Sequence, residues 1–156
     1  MSEMPVSNIS VTYNVALVTV DNLPNNTKLI SGLFSTIAQN HINIDMISQA
    51  PAFRGSISLS FSLPSDDLVA ALSSLNEFKK NARNLRIEVD AENTKLQVSG
   101  EGMRNIPGVA AKLYTLLANE GIEIKLVTTS ETDISYLIFE KDVDKATSAI
   151  KHEYGI

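Results

Sequence analysis

The chain has 156 residues, 44% of them hydrophobic and 20% charged, with a net charge of -5. That suits one ordinary globular domain or two very small ones, offers no basic footprint for nucleic acid, and contains no apolar run of about 18 residues that would span a membrane. The absence of cysteine excludes disulfides, thiolate zinc sites and cysteine nucleophiles together, and the start, MSEMP, lacks the basic and apolar segments of a signal peptide, so a cytoplasmic protein is expected.

Residues 6–13, VSNISVTY, are strand-like. Residues 15–20 form a short apolar run rich in β-branched side chains, a second strand. Leu29, Ile30, Leu33, Phe34 and Ile37 fall at helical spacing and predict an amphipathic helix over residues 27–40. Ile42, Ile44 and Met46 alternate with polar residues and predict a strand; Ile57, Leu59, Phe61 and Leu63 alternate with serines and predict another. A helix is expected over residues 66–78, with Leu68, Leu72 and Leu75 on one side. Leu85, Ile87 and Val89 then mark a strand over residues 85–90. The pattern starts again with a strand at 95–99 and a helix at 107–119. Strands at 122–128 and 134–139 follow, then a helix at 142–153. Only Tyr154, Gly155 and Ile156 remain.

The second half repeats the first. LFSTIAQNHINIDMISQ, from Leu33, lies without a gap against LYTLLANEGIEIKLVTT, from Leu113, an offset of 80. Leu59, Ser60, Phe61, Asp67 and Ala71 face Ile134, Ser135, Tyr136, Asp142 and Ala146 at an offset of 75. Each copy reads strand-helix-strand-strand-helix-strand, the ferredoxin-like α+β unit with an antiparallel sheet and both helices on one face. The copies are placed at residues 14–90 and 91–156. The second lacks room for a fourth strand, so residues 6–13 are expected to complete it. The first unit would then be inserted within the second.

The residues that carry a family resemblance now stand out. They are G-x-G-M at Gly100, Gly102 and Met103, the helix opening Pro107-Gly108-Val109-Ala110, and Thr129-Ser130-Glu131 followed by Ile134-Ser135. In the first unit they are INIDMISQ and the stretch from Leu63 to Leu68. These units resemble ACT domains, and their pairing is similar to the regulatory part of aspartate kinases. The resemblance implies an allosteric module that binds lysine or threonine as a feedback effector. It also implies a homodimer built by side-by-side pairing of ACT units, and an aspartate kinase catalytic domain or subunit as partner.

A free amino acid offers a carboxylate and an ammonium group. Helix N-termini present unpaired amides and partial positive charge to the carboxylate. In the second unit that turn spans residues 104–110, with Pro107 in the first helical turn, where it forgoes no hydrogen bond. Acceptors for the ammonium are sought on the strand after the first helix, at Asn43, Ile44 and Asp45, and at Glu123 in the other copy. The resemblance makes Asn43 a ligand contact, with Glu123 at the equivalent position. Thr27-Lys28 replace the Pro-Gly in the first unit, and Asn25 takes the place of the family's acidic residue. The candidates there are Asn43 and Gln49, with residues 25–30, including Asn26, Thr27 and Ile30, as the carboxylate cradle. In the second unit they are Met103, Pro107, Gly108, Val109, Ala110, Thr129, Ser130 and Glu131. Ser130 and Glu131 also suit a simple turn after a strand.

No cofactor is implied. The glycine-rich stretch lacks the Lys-Ser/Thr of a phosphate loop and the third glycine of a dinucleotide fingerprint. His41 and His152 have no second ligand at metal spacing, so no metal is expected. With no nucleophile-base arrangement, the chain alone is not expected to be an enzyme. The alternative function is an assembly module whose ACT units pair but bind nothing.

Overall fold

The computed structural model describes residues 4–156. Its strands and helices run β1 (Asn8–Pro24), α1 (Thr27–Gln39), β2 (Ile47–Gln49), β3 (Ser56–Pro64), α2 (Leu68–Phe78), β4 (Arg86–Ser99), α3 (Val109–Asn119), β5 (Leu126–Thr129), β6 (Asp133–Phe139) and α4 (Val143–Tyr154). Contacts divide the chain into two compact units. One is Asn14–Glu92; the other joins the segment up to Tyr13 with Asn93–Ile156.

In the first unit β3 pairs antiparallel with both β1 and β2, with Val18 opposite Phe61 and Ile47 opposite Phe61 from the other side. Alternation on β1 and β3 sends Val18, Val20, Leu59, Phe61 and Leu63 to one face, where they meet Leu33 and Ile37 of α1 and Leu75 of α2. Each such fully buried side chain stabilises the fold by about 1.5–3 kcal/mol over an exposed one. In the second unit β6 pairs antiparallel with β4 and β5. Leu96, Val98, Ile134, Tyr136 and Ile138 form the matching face under Leu113 and Leu117 of α3 and Ile150 of α4. Val6 joins this second core, and the Ser7 amide donates to the Ser99 carbonyl at 2.9 Å.

The repeat reaches to individual contacts. Phe34 meets Phe61 with ring centroids 6.3 Å apart, and Tyr114 meets Tyr136 at 6.5 Å. These are the same two positions in each copy. α1 ends on His41 in the left-handed conformation, and α3 on Gly121, its counterpart 80 residues on.

The structure corrects the sequence reading in four places. Residues 8–13 and 15–20 are not two strands but parts of the single β1, and residues 86–90 and 95–99 likewise merge into β4. No breaker stops either strand; Asn14 (φ 57°) and Glu92 (φ 63°) adopt a left-handed backbone within them. Residues 122–125 are not strand, and β5 starts only at Leu126. Residues 42–46 are not strand. The Asp45 and Met46 amides both turn to Ser62, one to its carbonyl at 3.0 Å and the other to its hydroxyl at 2.9 Å. That doubling defers regular pairing to Ile47. Finally, Pro107 lies ahead of α3 rather than in its first turn, because Gly108 takes the left-handed conformation (φ 85°) between them.

Candidate functional site

The second unit builds a cavity of about 260 Å³ at the mouth of α3. Met103, Ile106 and Gly108 supply one side, Val109 and Ala110 the opening of the helix, and Thr129, Ser130 and Glu131 the wall that ends β5. Seven residues singled out from the sequence therefore converge here. Pro107 and Glu123, also singled out, are exposed and do not line this cavity.

The decisive local feature is the cap. Gly108 precedes α3 with no side chain to bond the first amides of the helix. Those amides carry the partial positive charge of the helix start, and Val109 and Ala110 line the cavity. The Arg104 guanidinium pairs with Glu131 and reaches Glu101 at 3.4 Å. Glu131 thus lines the cavity with its carboxylate paired to Arg104, which lies outside the lining. Ser130 has a different role. Its hydroxyl donates to Asp133 Oδ2 at 2.7 Å and accepts from the Thr132 and Asp133 amides at 3.2 Å, which closes the β5–β6 turn.

In the first unit the same turn is occupied from within. Asn26 is the N-cap of α1, and its side-chain oxygen accepts from the Lys28 and Leu29 amides at 3.0 and 3.2 Å. The Asn26 carbonyl takes the Ile30 amide at 3.0 Å, and the Asn25 amide donates to Gly55 at 2.9 Å. Asn25, Asn26 and Thr27 are exposed, and Ile30 is half-buried. Asn43, Asp45 and Gln49 are exposed, while Ile44 packs on the core. None of these residues lines the larger cavity of this unit, about 520 Å³, which lies around Asp21, Phe53 and Arg86. The sequence reading missed both that cavity and the Asn26 cap. The cap had a signal: asparagine immediately before the first apolar-periodic residues of a helix.

Comparison with known proteins agrees with this architecture. The ACT domain family model matches twice, at residues 18–78 and 96–154. The aspartokinase of Bacillus sp. (strain MGA3) is 38% identical over 97% of this chain, which spans 37% of that relative's length. A chain in the crystal structure of aspartokinase alpha and beta subunits superposes with a TM-score of 0.87 at 32% identity, covering 97% of this chain and 99% of that one. The regulatory subunit of aspartate kinase from Thermus thermophilus, in its ligand-free form, shares the fold with a TM-score of 0.86 at 23% identity, covering 96% of this chain and 98% of that one. With two ACT units accounting for most of its length, the chain belongs to the ACT domain family and is homologous, almost end to end, to part of the aspartokinases.

Proposed function

We propose that this chain is the allosteric regulatory module of a cytoplasmic aspartokinase and senses a free amino acid, lysine or threonine. The observation that carries this reading is the side-chain-free start of α3 opening on a cavity that Glu131 also lines. An effector carboxylate would take the α3 amides, and its ammonium would turn to Glu131. The module works as a homodimer through ACT-ACT pairing and answers to an aspartokinase catalytic domain or subunit. The first unit is an insertion within the second. Effector binding favours one arrangement of the paired units, and it shifts that equilibrium only by its differential affinity for the two arrangements.

Thermal unfolding with millimolar lysine, threonine or other amino acids tests the reading. At 100 times its dissociation constant the effector should stabilise the chain by about 2.7 kcal/mol. Asn43→Ala separates the two units. A change in affinity below twofold removes the first-unit site built on Asn43.

A second reading has its own support. Asn26 caps α1 internally, and the edge strands β2 and β5 expose Ile47 and Val127. Both features suit an assembly module that pairs ACT units and binds nothing. That reading stands if no amino acid moves the unfolding temperature.

A further inference from the structure

The larger cavity of the first unit has no role in the reading above. It lies between the end of β1, the start of β4 and the hairpin joining β2 to β3, and its volume is about 520 Å³, within the range of small-molecule sites. Its chemistry is divided. Pro51 and Phe53 give an apolar wall, and Phe53 is 73% exposed. Arg86, Ser56 and Ser58 give a polar one.

The donors on the polar wall are not all used. The Asp21 carboxylate is satisfied, one oxygen taking the Asn22 amide at 3.0 Å and the other an Arg86 Nη2 proton. Arg86 Nε lies 3.4 Å from Glu88. Among the described residues, no hydrogen bond or ion pair engages Arg86 Nη1 or the hydroxyls of Ser56 and Ser58. A terminal guanidinium nitrogen carries two N–H donors and no acceptor, so this wall has donors to offer, although the Arg86 charge is shared with Asp21 and Glu88. At the hairpin tip, outside the cavity lining, the Arg54 guanidinium lies 5.2 Å from the Phe53 ring centre.

The frame is held in place. Asn22 adopts a left-handed conformation (φ 60°) at an irregularity in β1 between Val20 and Leu23, and its side-chain amide donates to the Asn84 carbonyl at 3.1 Å. Asparagine tolerates that conformation better than most residues. This bond ties the end of β1 to the segment before β4, between which the cavity opens.

We infer that this cavity is a second ligand site, specific for a small carboxylate that carries an aromatic or branched apolar group. The carboxylate bonds Arg86 Nη1 and the serine hydroxyls, and the apolar group lies against Phe53 and Pro51. The site is separate from the α3 turn and stands or falls independently of effector binding there.

Amide-resolved NMR titration of the whole chain tests it, with phenylacetate, L-phenylalanine and benzyl alcohol as probes. Saturable shifts at Phe53, Ser56, Ser58 and Asn84 are expected with the two carboxylates and not with the alcohol. Tighter binding of phenylalanine would identify an amino acid as the class of natural ligand, and tighter binding of phenylacetate a simple carboxylic acid. Arg86→Gln and Phe53→Ser alter exposed side chains, so both variants should fold. Each should weaken binding at least tenfold. Equal response to benzyl alcohol, no saturation, or an Arg86→Gln affinity within twofold of the parent would overturn the inference. Lysine or threonine shifts at Val109 and Ala110 appear in the same spectra and report the α3 turn separately.

Discussion

The starts of α1 and α3 occupy the same place in two copies of one unit, yet they satisfy their first amides in opposite ways. α1 uses its own Asn26 side chain, which holds the Lys28 and Leu29 amides. α3 uses Gly108, which holds none and sits in a left-handed conformation with open space where a Cβ would be. A capped start is a structural element, whereas an uncapped one beside a cavity can receive an anion from outside. The duplicated fold thus keeps its cores alike while the turns that open its two first helices diverge.

The sharpest way to break the comparison lies just upstream of the uncapped turn. At Gly100 a Cβ would come within 2.2 Å of the Pro5 carbonyl oxygen. The obstacle is backbone and cannot rotate away. Gly100→Ala should cost about 3 kcal/mol, read as a lower urea midpoint with loss of the Ser7–Ser99 hydrogen bond in amide exchange. At the turns themselves, Gly108→Ala places a side chain at φ 85° and should cost about 1–2 kcal/mol. Asn26→Ala leaves two α1 amides without their partner and should cost about 1 kcal/mol. The two stability costs are similar, so effector affinity is the deciding readout: an equal change in affinity in the two variants would contradict the division of labour.

Much of this was legible in the sequence, and the particular residues say why. The Leu33/Leu113 and Phe61/Tyr136 matches exposed the repeat because core positions are fixed by burial, which both copies share. Met103 and Thr129 to Glu131 were singled out through the resemblance to ACT pairs, and Gly108 to Ala110 also as a helix start that offers amides; the fold brings these seven to one cavity. The uninterrupted β1 and β4 were not legible. Asn14 tolerates a left-handed conformation and Glu92 gives no such signal, yet both adopt it within a continuous strand. The late start of β2 depends on Ser62, sixteen residues from Met46, receiving two amides at once. The cavity around Arg86 joins residues from three separate segments, and no periodicity or motif links them.

A second pair of equivalent positions sharpens the contrast with smaller effects. Gly32 of α1 faces Phe78 of α2, the nearest approach to a built Cβ being 3.7 Å from the ring. Their counterparts, 80 and 75 residues on, are Lys112 of α3 and Glu153 of α4, which form an ion pair at 2.6 Å. The first unit fills its helix-helix contact with an aromatic ring and the second with charge. Gly32 is inside a helix and has room for a methyl group, so Gly32→Ala should stabilise the chain by about 0.4–1 kcal/mol. A destabilisation would mean that the ring cannot tolerate even ordinary contact.

The ion pair makes the smallest effect, and its signature is pH dependence rather than size. The hydrogen bond from Lys112 holds the Glu153 carboxyl below its ordinary range, helped by the attraction between the two charges. The same hydrogen bond raises the Lys112 ammonium, partly opposed by desolvation. A lowered carboxyl contributes stability above its unfolded value and loses it as pH falls through the folded one. A raised ammonium contributes below its unfolded value and loses it as pH rises through the folded one. Glu153→Gln should therefore flatten the stability profile at both ends, in acid and in strong alkali, with the parent favoured between them. Tyr136 complicates the alkaline arm, because burial pushes its phenol up to about 12, so stability falls there in parent and variant alike. Subtracting the two urea-midpoint profiles removes that shared loss. The remaining difference should vanish at both extremes, and a difference that stays constant with pH would show that Glu153 acts by packing against α3 and not by charge.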